Sequence, residues 1–555
     1  MPKRTAPPPR EQAPRAGFPL SAPLLFVLIF SFIWILHLGL LALPYFWDEA
    51  GYFVPAARDL LLTGDPIPRS TLSNSHPPLV MLWLALWWKL LAYTPVVTRT
   101  AMLLVSAFTL LGVFRLARAV SNSSVAAAST LLTAAYPVFF AQSSLADLDM
   151  MAAGLTIWGL LYYLERKRTG AIIWFGFAGL AKETALLAPG ALLLWEVLAP
   201  FVMKNGHRAK VVELKAGRGS WWPPYSAPDF LKSLTLTLSM LPLAAWLSYY
   251  YARTGLFLGN PEYVRYNFDA TLHPARIVLA LVDRLWQLLG YLNMFVLTGA
   301  MALAMGYSPL PSIPGMPQTA SNPERPRIAP AIQLVFAAVI TAYVLALSFV
   351  GGAVLARYLL PVYPLVVIEG VATLWRRVSW WKTAVAAIAL AFVAGWFVYP
   401  LYRFAPEDNL AYADDVRLHQ AAIARLAELP SGPVLTAWPA TDELRNPALG
   451  YVAQALKVVP AQNFDVAELA HAQNHSGQFD YVLLFSRKYE PPRRVVGWWE
   501  YVQARYFTYH QDLSPRAATE ILGAKIIYFE QRGGEWVAIL AMPRRDMGEG
   551  SSSGR

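Results

Sequence analysis

The chain has 555 residues, 56% of them hydrophobic and only 15% charged, against about 25% charged in ordinary globular domains, which argues against a purely soluble protein. Its net charge is +11, but the basic residues fall mainly in short loops between apolar stretches, where they set membrane orientation, so nucleic acid is not an expected partner. There is no cysteine, which excludes disulfides and thiolate metal sites.

Residues 1–22 form a basic tail (Lys3, Arg4, Arg10, Arg15) expected to be disordered and cytoplasmic. The apolar stretch behind it lacks a small-residue cleavage site and reads as a first span. Runs long enough for a hydrocarbon core of roughly 30 Å predict spans at 24–43, 97–117, 124–142, 149–164, 170–181, 184–201, 231–250, 278–304, 330–350, 355–374 and 383–402. Pro77–Tyr93 is read as an interfacial or re-entrant helix, because that choice gathers the cationic loops on one side. Those loops hold Arg115 and Arg118; Arg166, Lys167 and Arg168; Lys204, Arg208, Lys210, Lys215 and Arg218; Arg325 and Arg327; and Arg376, Arg377 and Lys382. The positive-inside rule makes that side cytoplasmic.

The expected fold class is a polytopic α-helical membrane protein of about 11 spans with a C-terminal extracytoplasmic α/β domain. The membrane domain covers 23–402, the α/β domain 403–545 and a low-complexity tail 546–555. Within the α/β domain the pattern predicts a helix over His419–Leu429, strands over Val434–Trp438 and Asp480–Phe485, and a hairpin pairing Ala524–Glu530 with Glu535–Ala541. Tyr412, Trp438, Tyr451, Trp498 and Trp499 either stack on sugars or fill that domain's core.

Polar residues beside the bilayer are costly and mark candidate sites. Asp48 and Glu49 follow the first span, flanked by aromatics; they read as an interfacial cap or as a base that takes a proton from an acceptor hydroxyl or amine. His76 precedes a double proline and suits a phosphate contact, a metal ligand or a plain structural contact. Asp147 and Asp149 offer two hard oxygens one residue apart, for a divalent cation, a polar substrate or a helix N-cap. Lys182 and Glu183 interrupt an apolar stretch, either as a mutual ion pair or with Lys182 on a lipid phosphate. Arg357, ahead of Tyr358 and Pro361, either snorkels or serves a ligand in the room that the prolines open. The loop 251–277, with Glu262, Tyr263, Arg265, Asp269 and His273, is polar enough to cover a site.

Taken in order, Asp48-Glu49 with Tyr52, His76-Pro-Pro-Leu79, Arg99, Asp147/Asp149, Ala181-Lys182-Glu183 and Arg357-Tyr358-Leu-Leu-Pro361 resemble the C-type (GT-C) glycosyltransferases. The resemblance is to the dolichyl-phosphate-mannose protein mannosyltransferase and aminoarabinose transferase group, over roughly residues 24–402. It implies inverting transfer of a sugar from a polyprenyl-phosphate carrier at an external cavity, with Asp48 as base and Glu49 beside it. It further implies substrate-binding roles for Tyr52, His76, Asp147, Asp149, Lys182, Arg357 and Tyr358. Lys182 and Arg357 would neutralise the leaving phosphate. A divalent cation, with Asp147, Asp149 and His76 as candidate ligands, stays open. Aminoarabinose transferases carry a Glu-Lys pair where this chain has Ser75-His76, which moves it toward the protein mannosyltransferase pattern. The expected partners are a polyprenyl-phosphate-linked sugar donor, membrane lipids and an acceptor that is a protein, lipid or glycan. The competing readings are a transporter or flippase for a lipid-linked sugar, and a non-catalytic assembly subunit; the absence of an internal repeat speaks against alternating access.

Overall fold

A computed structural model describes residues 21–204, 233–268, 271–312, 324–486, 497–507 and 513–543. The two terminal tails, most of the basic loop containing Arg208, Lys210, Lys215 and Arg218, and Asp269 lie outside these residues, as do the side chains of Glu262, Trp498 and Trp499.

The helices run α1 Ala22–Leu36, α2 Val54–Thr63, α3 Leu79–Leu90, α4 Pro95–Val120, α5 Ser123–Ala135, α6 Pro137–Gln142, α7 Leu148–Leu164, α8 Arg168–Ala181 and α9 Leu187–Lys204. They continue with α10 Leu241–Thr254, α11 Pro261–Asn267, α12 Pro274–Leu289, α13 Met294–Met305, α14 Pro330–Phe349, α15 Tyr363–Arg377 and α16 Trp381–Phe397. By length and composition, three helical stretches suffice to cross a membrane among the described residues: α4, Pro274–Met305 taken across its kink, and α14.

Local chemistry explains most boundaries. Thr94 caps α4, its hydroxyl accepting from the Val97 N–H with Pro95 in the first turn, where a missing N–H costs nothing. Inside, α4 and α7 approach closely because Gly154 lies against Thr109: a Cβ there would come within 2.3 Å of Oγ1. Small residues permit such backbone contact between membrane helices, where no hydrophobic drive pulls them together.

Several predicted spans are interrupted. The first helix stops at Leu36 and gives way to turns. The stretch 124–142 divides at Tyr136, whose extended backbone precedes Pro137, the conformation favoured before proline. The stretch 278–304 divides where Leu292 (φ 44°) and Asn293 (φ 70°) take left-handed conformations. Pro77–Tyr93 contains the short helix α3.

The C-terminal region carries α17 Ala411–Ala427, α18 Ala440–Arg445, α19 Val466–Asn474, α20 Gly497–Tyr506 and α21 Pro515–Leu522. Its strands are β1 Val434–Ala437, β2 Val458–Ala461, β3 Tyr481–Phe485, β4 Lys525–Arg532 and β5 Glu535–Ala541, in the order β2-β1-β3-β5-β4. β1 pairs in parallel with β2 and β3, whereas β5 pairs antiparallel with β3 and β4. The hairpin matches the sequence pattern. The strand β2 was not expected, because Pro460 interrupts it; it sits at the sheet edge, the place where proline is tolerated. The helix predicted from His419 begins eight residues earlier in α17, which packs on β4 and β5. Of the proposed sugar-stacking aromatics, Tyr412 is buried, while Trp438 leaves the end of β1 to touch the membrane part.

Candidate functional site

The sequence places Asp48 and Glu49 side by side, and the backbone separates them. Trp47 takes a positive φ of 44°, and Glu49–Phe53 forms a single π-helical turn, an irregularity frequent at functional sites. Glu49 turns inward. Its Oε1 accepts from the Ala146 N–H at 2.6 Å and its Oε2 from the Phe46 N–H at 2.9 Å. Arg99 completes the pair at 3.3 Å, its side chain fully buried, and also donates to the Pro44 carbonyl at 2.8 Å. A buried ion pair with its remaining hydrogen-bonding groups satisfied is an anchor. Glu49, expected beside Asp48 in the chemistry, thus faces away from it into a buried ion pair with Arg99.

Asp48 turns the other way, to Arg357. The Arg357 guanidinium donates from Nη2 to Asp48, from Nη1 to Asp147 at 2.6 Å and to Glu407 at 3.2 Å, and its Nε lies 3.6 Å from Asp149. Asp149 in turn holds Lys182 at 2.6 Å. Four carboxylates from three stretches of chain thus face two cations. Asp147 occupies the N-cap position of α7 without a side-chain capping bond, so the capping alternative holds by position only. The Asp147 and Glu407 oxygens turned away from Arg357 are buried and without hydrogen-bond partners among the described residues.

Lys182 and Glu183 do not pair with each other. Lys182 lies 4.0 Å from the centre of the Tyr358 ring, and the same ring meets Arg284 and Arg357 at 5.6 and 5.8 Å. Cations above an aromatic face gain from its quadrupole, most of all when desolvated. Glu183 pairs with His76, whose Nδ1 lies 3.2 Å from the carboxylate. His76 also stands edge-on to Tyr263 at 5.5 Å. The segment ahead of it is pinned from the other side: Trp246 donates to the Ser75 carbonyl and Asn260 to the Asn74 side chain, both at 2.8 Å. The loop 251–277 therefore does contact the candidate site, through Asn260 and Tyr263.

Tyr52 faces Trp438 with ring centres 6.0 Å apart, and Trp47 meets the same indole edge-on at 4.9 Å. Between them lies Gly51, where a Cβ would fall 2.8 Å from the Trp438 ring. The C-terminal region thereby presses directly on the turn that carries Asp48.

Three contributors escaped the sequence reading. Glu407 and Asp408 directly follow the last apolar run, the same signal that marked Asp48 and Glu49; Asp408 accepts from the Tyr291 hydroxyl at 2.6 Å. Arg284 is fully buried inside the apolar stretch 278–304, and an ionisable residue at such a position is itself a signal. Among the described residues, no three His, Asp or Glu side chains converge as a metal-binding group; Asp147 and Asp149 face Arg357 and Lys182, and His76 faces Glu183.

Residues 75–213 match the family model described as dolichyl-phosphate-mannose-protein mannosyltransferase. No curated protein matches the chain. Among solved structures, ArnT from Cupriavidus metallidurans bound to undecaprenyl phosphate is similar, with a TM-score of 0.51 and 14% identity over 93% of this chain and 97% of that one. The apo state of the same protein gives 0.49 and 15% at the same coverage. The oligosaccharyltransferase of Archaeoglobus fulgidus, in a complex with Zn and sulfate, gives 0.42 and 13% over 83% of this chain and 67% of that one. At such identity the ArnT likeness is one of fold.

Proposed function

We infer that this chain, an integral membrane protein with the ArnT-like fold of C-type glycosyltransferases, is an inverting glycosyltransferase. It moves a sugar from a polyprenyl-phosphate carrier to an acceptor hydroxyl or amine at the outer face of the membrane, with the N-terminus cytoplasmic and residues 403–545 extracytoplasmic.

One contrast carries the reading. The Asp48 side chain is 22% exposed, whereas those of Asp147, Asp149 and Glu407, which share its cations, are 3%, 6% and 6% exposed. Of this cluster, Asp48 alone combines a rigid hold with an open side toward a substrate. The family match over 75–213 and the undecaprenyl phosphate bound by the ArnT neighbour support a polyprenyl-linked donor.

In the proposed reaction Asp48 takes the acceptor's proton as the acceptor atom bonds to the anomeric carbon. The bond from that carbon to the phosphate oxygen breaks, and the phosphate leaves with the electron pair. Arg357 fixes the Asp48 carboxylate and, with Lys182 over Tyr358, meets the charge developing on the phosphate. Tyr52 and His76 border the substrate. A carrier anchored by its tail brings its phosphate to the interface, so the reaction needs no nucleotide outside the cell.

The test is label transfer from radiolabelled polyprenyl-phosphate sugars by purified protein with native membranes as acceptor. Asp48→Asn should bind carrier and lose transfer. Transfer by no donor, or transfer indifferent to Asp48→Asn, would leave the flippase or the assembly subunit as the better reading.

A further inference from the structure

A cation-lined cavity lies between the start of α12 and the end of α20, and none of the Arg357 cluster lines it. It encloses about 210 Å³ and, among the described residues, is lined by His273, Arg276, Arg505 and Tyr506, none of them acidic. Since a water claims about 30 Å³ in the liquid, a phosphate group and several waters fit.

Arg276 is the unusual member. It is only 2% exposed; its Nη2 donates to the carbonyls of Gly351 and Gly352 at 2.6 and 3.1 Å. Its Nη1 is buried and has no hydrogen-bond partner among the described residues. Leaving a buried charged donor idle is costly unless an anion completes it. Across the cavity Arg505 is exposed and reaches the Tyr501 hydroxyl at 3.3 Å, and the His273 and Tyr506 rings lie 5.3 Å apart. Neither arginine forms an ion pair among the described residues. The free Nη1 of Arg276, the Arg505 guanidinium, an imidazole and a phenol, with no acid among the described lining residues, suit multidentate recognition of a phosphate.

We propose that His273, Arg276, Arg505 and Tyr506 bind a phosphate group at a site separate from the Asp48–Arg357 cluster. The ligand is the phosphate of a lipid headgroup or free phosphate. Because Arg276 also grips Gly351 and Gly352, an occupied site braces the segment that leads to Arg357. At Gly351 the backbone holds a φ of 104°, a conformation that glycine alone adopts freely.

The full-length protein in detergent is titrated with inorganic phosphate and followed by phosphorus NMR line broadening. In parallel, the protein released from nanodiscs of phosphatidylcholine with phosphatidic acid is weighed with its retained lipids by native mass spectrometry. Arg505→Gln changes an exposed residue and leaves folding intact. Wild-type broadening that weakens about tenfold or more in this variant establishes a free-phosphate site. Phosphatidic acid retained by wild type and lost by the variant establishes a headgroup site. Binding unchanged by Arg505→Gln, or absent from wild type in both measurements, overturns the proposal. Asp48→Asn should bind as wild type does, so failure here is distinct from failure of the transfer reading.

Discussion

Arg357 and Asp48 meet across 309 positions of the chain, and the same guanidinium holds Asp147 at 2.6 Å. The carboxylate proposed as base therefore owes its orientation to a residue at the far end of the membrane part. Arg357→Lys should retain the charge but lose the planar fork that reaches two carboxylates at once. Sugar transfer is expected to fall about 100-fold while carrier binding falls less, because a misplaced base costs mainly the chemical step. Single-turnover transfer beside carrier-binding measurements checks this; an unchanged rate would show that Arg357 does not position Asp48.

The two adjacent acids should behave oppositely. Asp48→Asn is expected to cut transfer by roughly 10²–10⁴-fold with little change in thermal unfolding. Glu49→Gln leaves the buried Arg99 cation without its partner, and breaking such a pair costs about 3–5 kcal/mol. The Glu49 variant should thus unfold at clearly lower temperature in detergent, as a fluorescence melt would report. The reverse pattern would give Glu49 the catalytic role.

Contact between Trp438 and Gly51 ties the C-terminal region to the Asp48 turn. Gly51→Ala inserts a methyl where the indole already sits, an overpacking worth about 1–3 kcal/mol, and transfer should drop with it. Adding Trp438→Phe makes room, so the double variant should recover part of both stability and transfer. Purely additive losses would separate the two residues.

A buried histidine gives the C-terminal region a pH signature. Burial disfavours charge on His419, but Glu443 at 2.6 Å and Asp415 outweigh it, and its pKa is pushed up to about 9. Burial likewise pushes Asp415 up to about 6, against the pull of His419 and with the push of Glu443. A group whose folded pKa is raised stabilises the fold below its unfolded value and loses that contribution as pH rises through the folded one. For His419 the window runs from about 6.5 to 9, with on the order of 3 kcal/mol at stake at about 1.4 kcal/mol per unit. Unfolding of this region should become easier over that window, and His419→Gln should flatten the dependence.

Much of the architecture was legible in the composition. Apolar runs marked most helices, and the turn at Arg532-Gly-Gly between two runs rich in β-branched and aromatic residues marked the hairpin, because burial and turn chemistry act on local sequence. The interruptions at Tyr136 and Leu292 were harder to see: one proline and two left-handed residues leave the surrounding hydrophobicity untouched. Asp48, Asp147, Asp149, Lys182 and Arg357 stood out because each breaks an apolar context. Glu407 and Asp408 were passed over since they sit at the start of an ordinary polar region.

By itself the sequence determined that this is a helical membrane protein followed by an α/β unit, and it named most of the charged residues beside the bilayer. Pairing was decided only in three dimensions. Whether Lys182 meets Glu183 or Asp149, and whether Asp48 and Glu49 act together or part company, depends on which distant charge the packed helices bring within about 3 Å, the range of a charge-assisted hydrogen bond. Two neighbouring acids have the same chemistry in the chain; Arg99 on one side and Arg357 on the other give them different places.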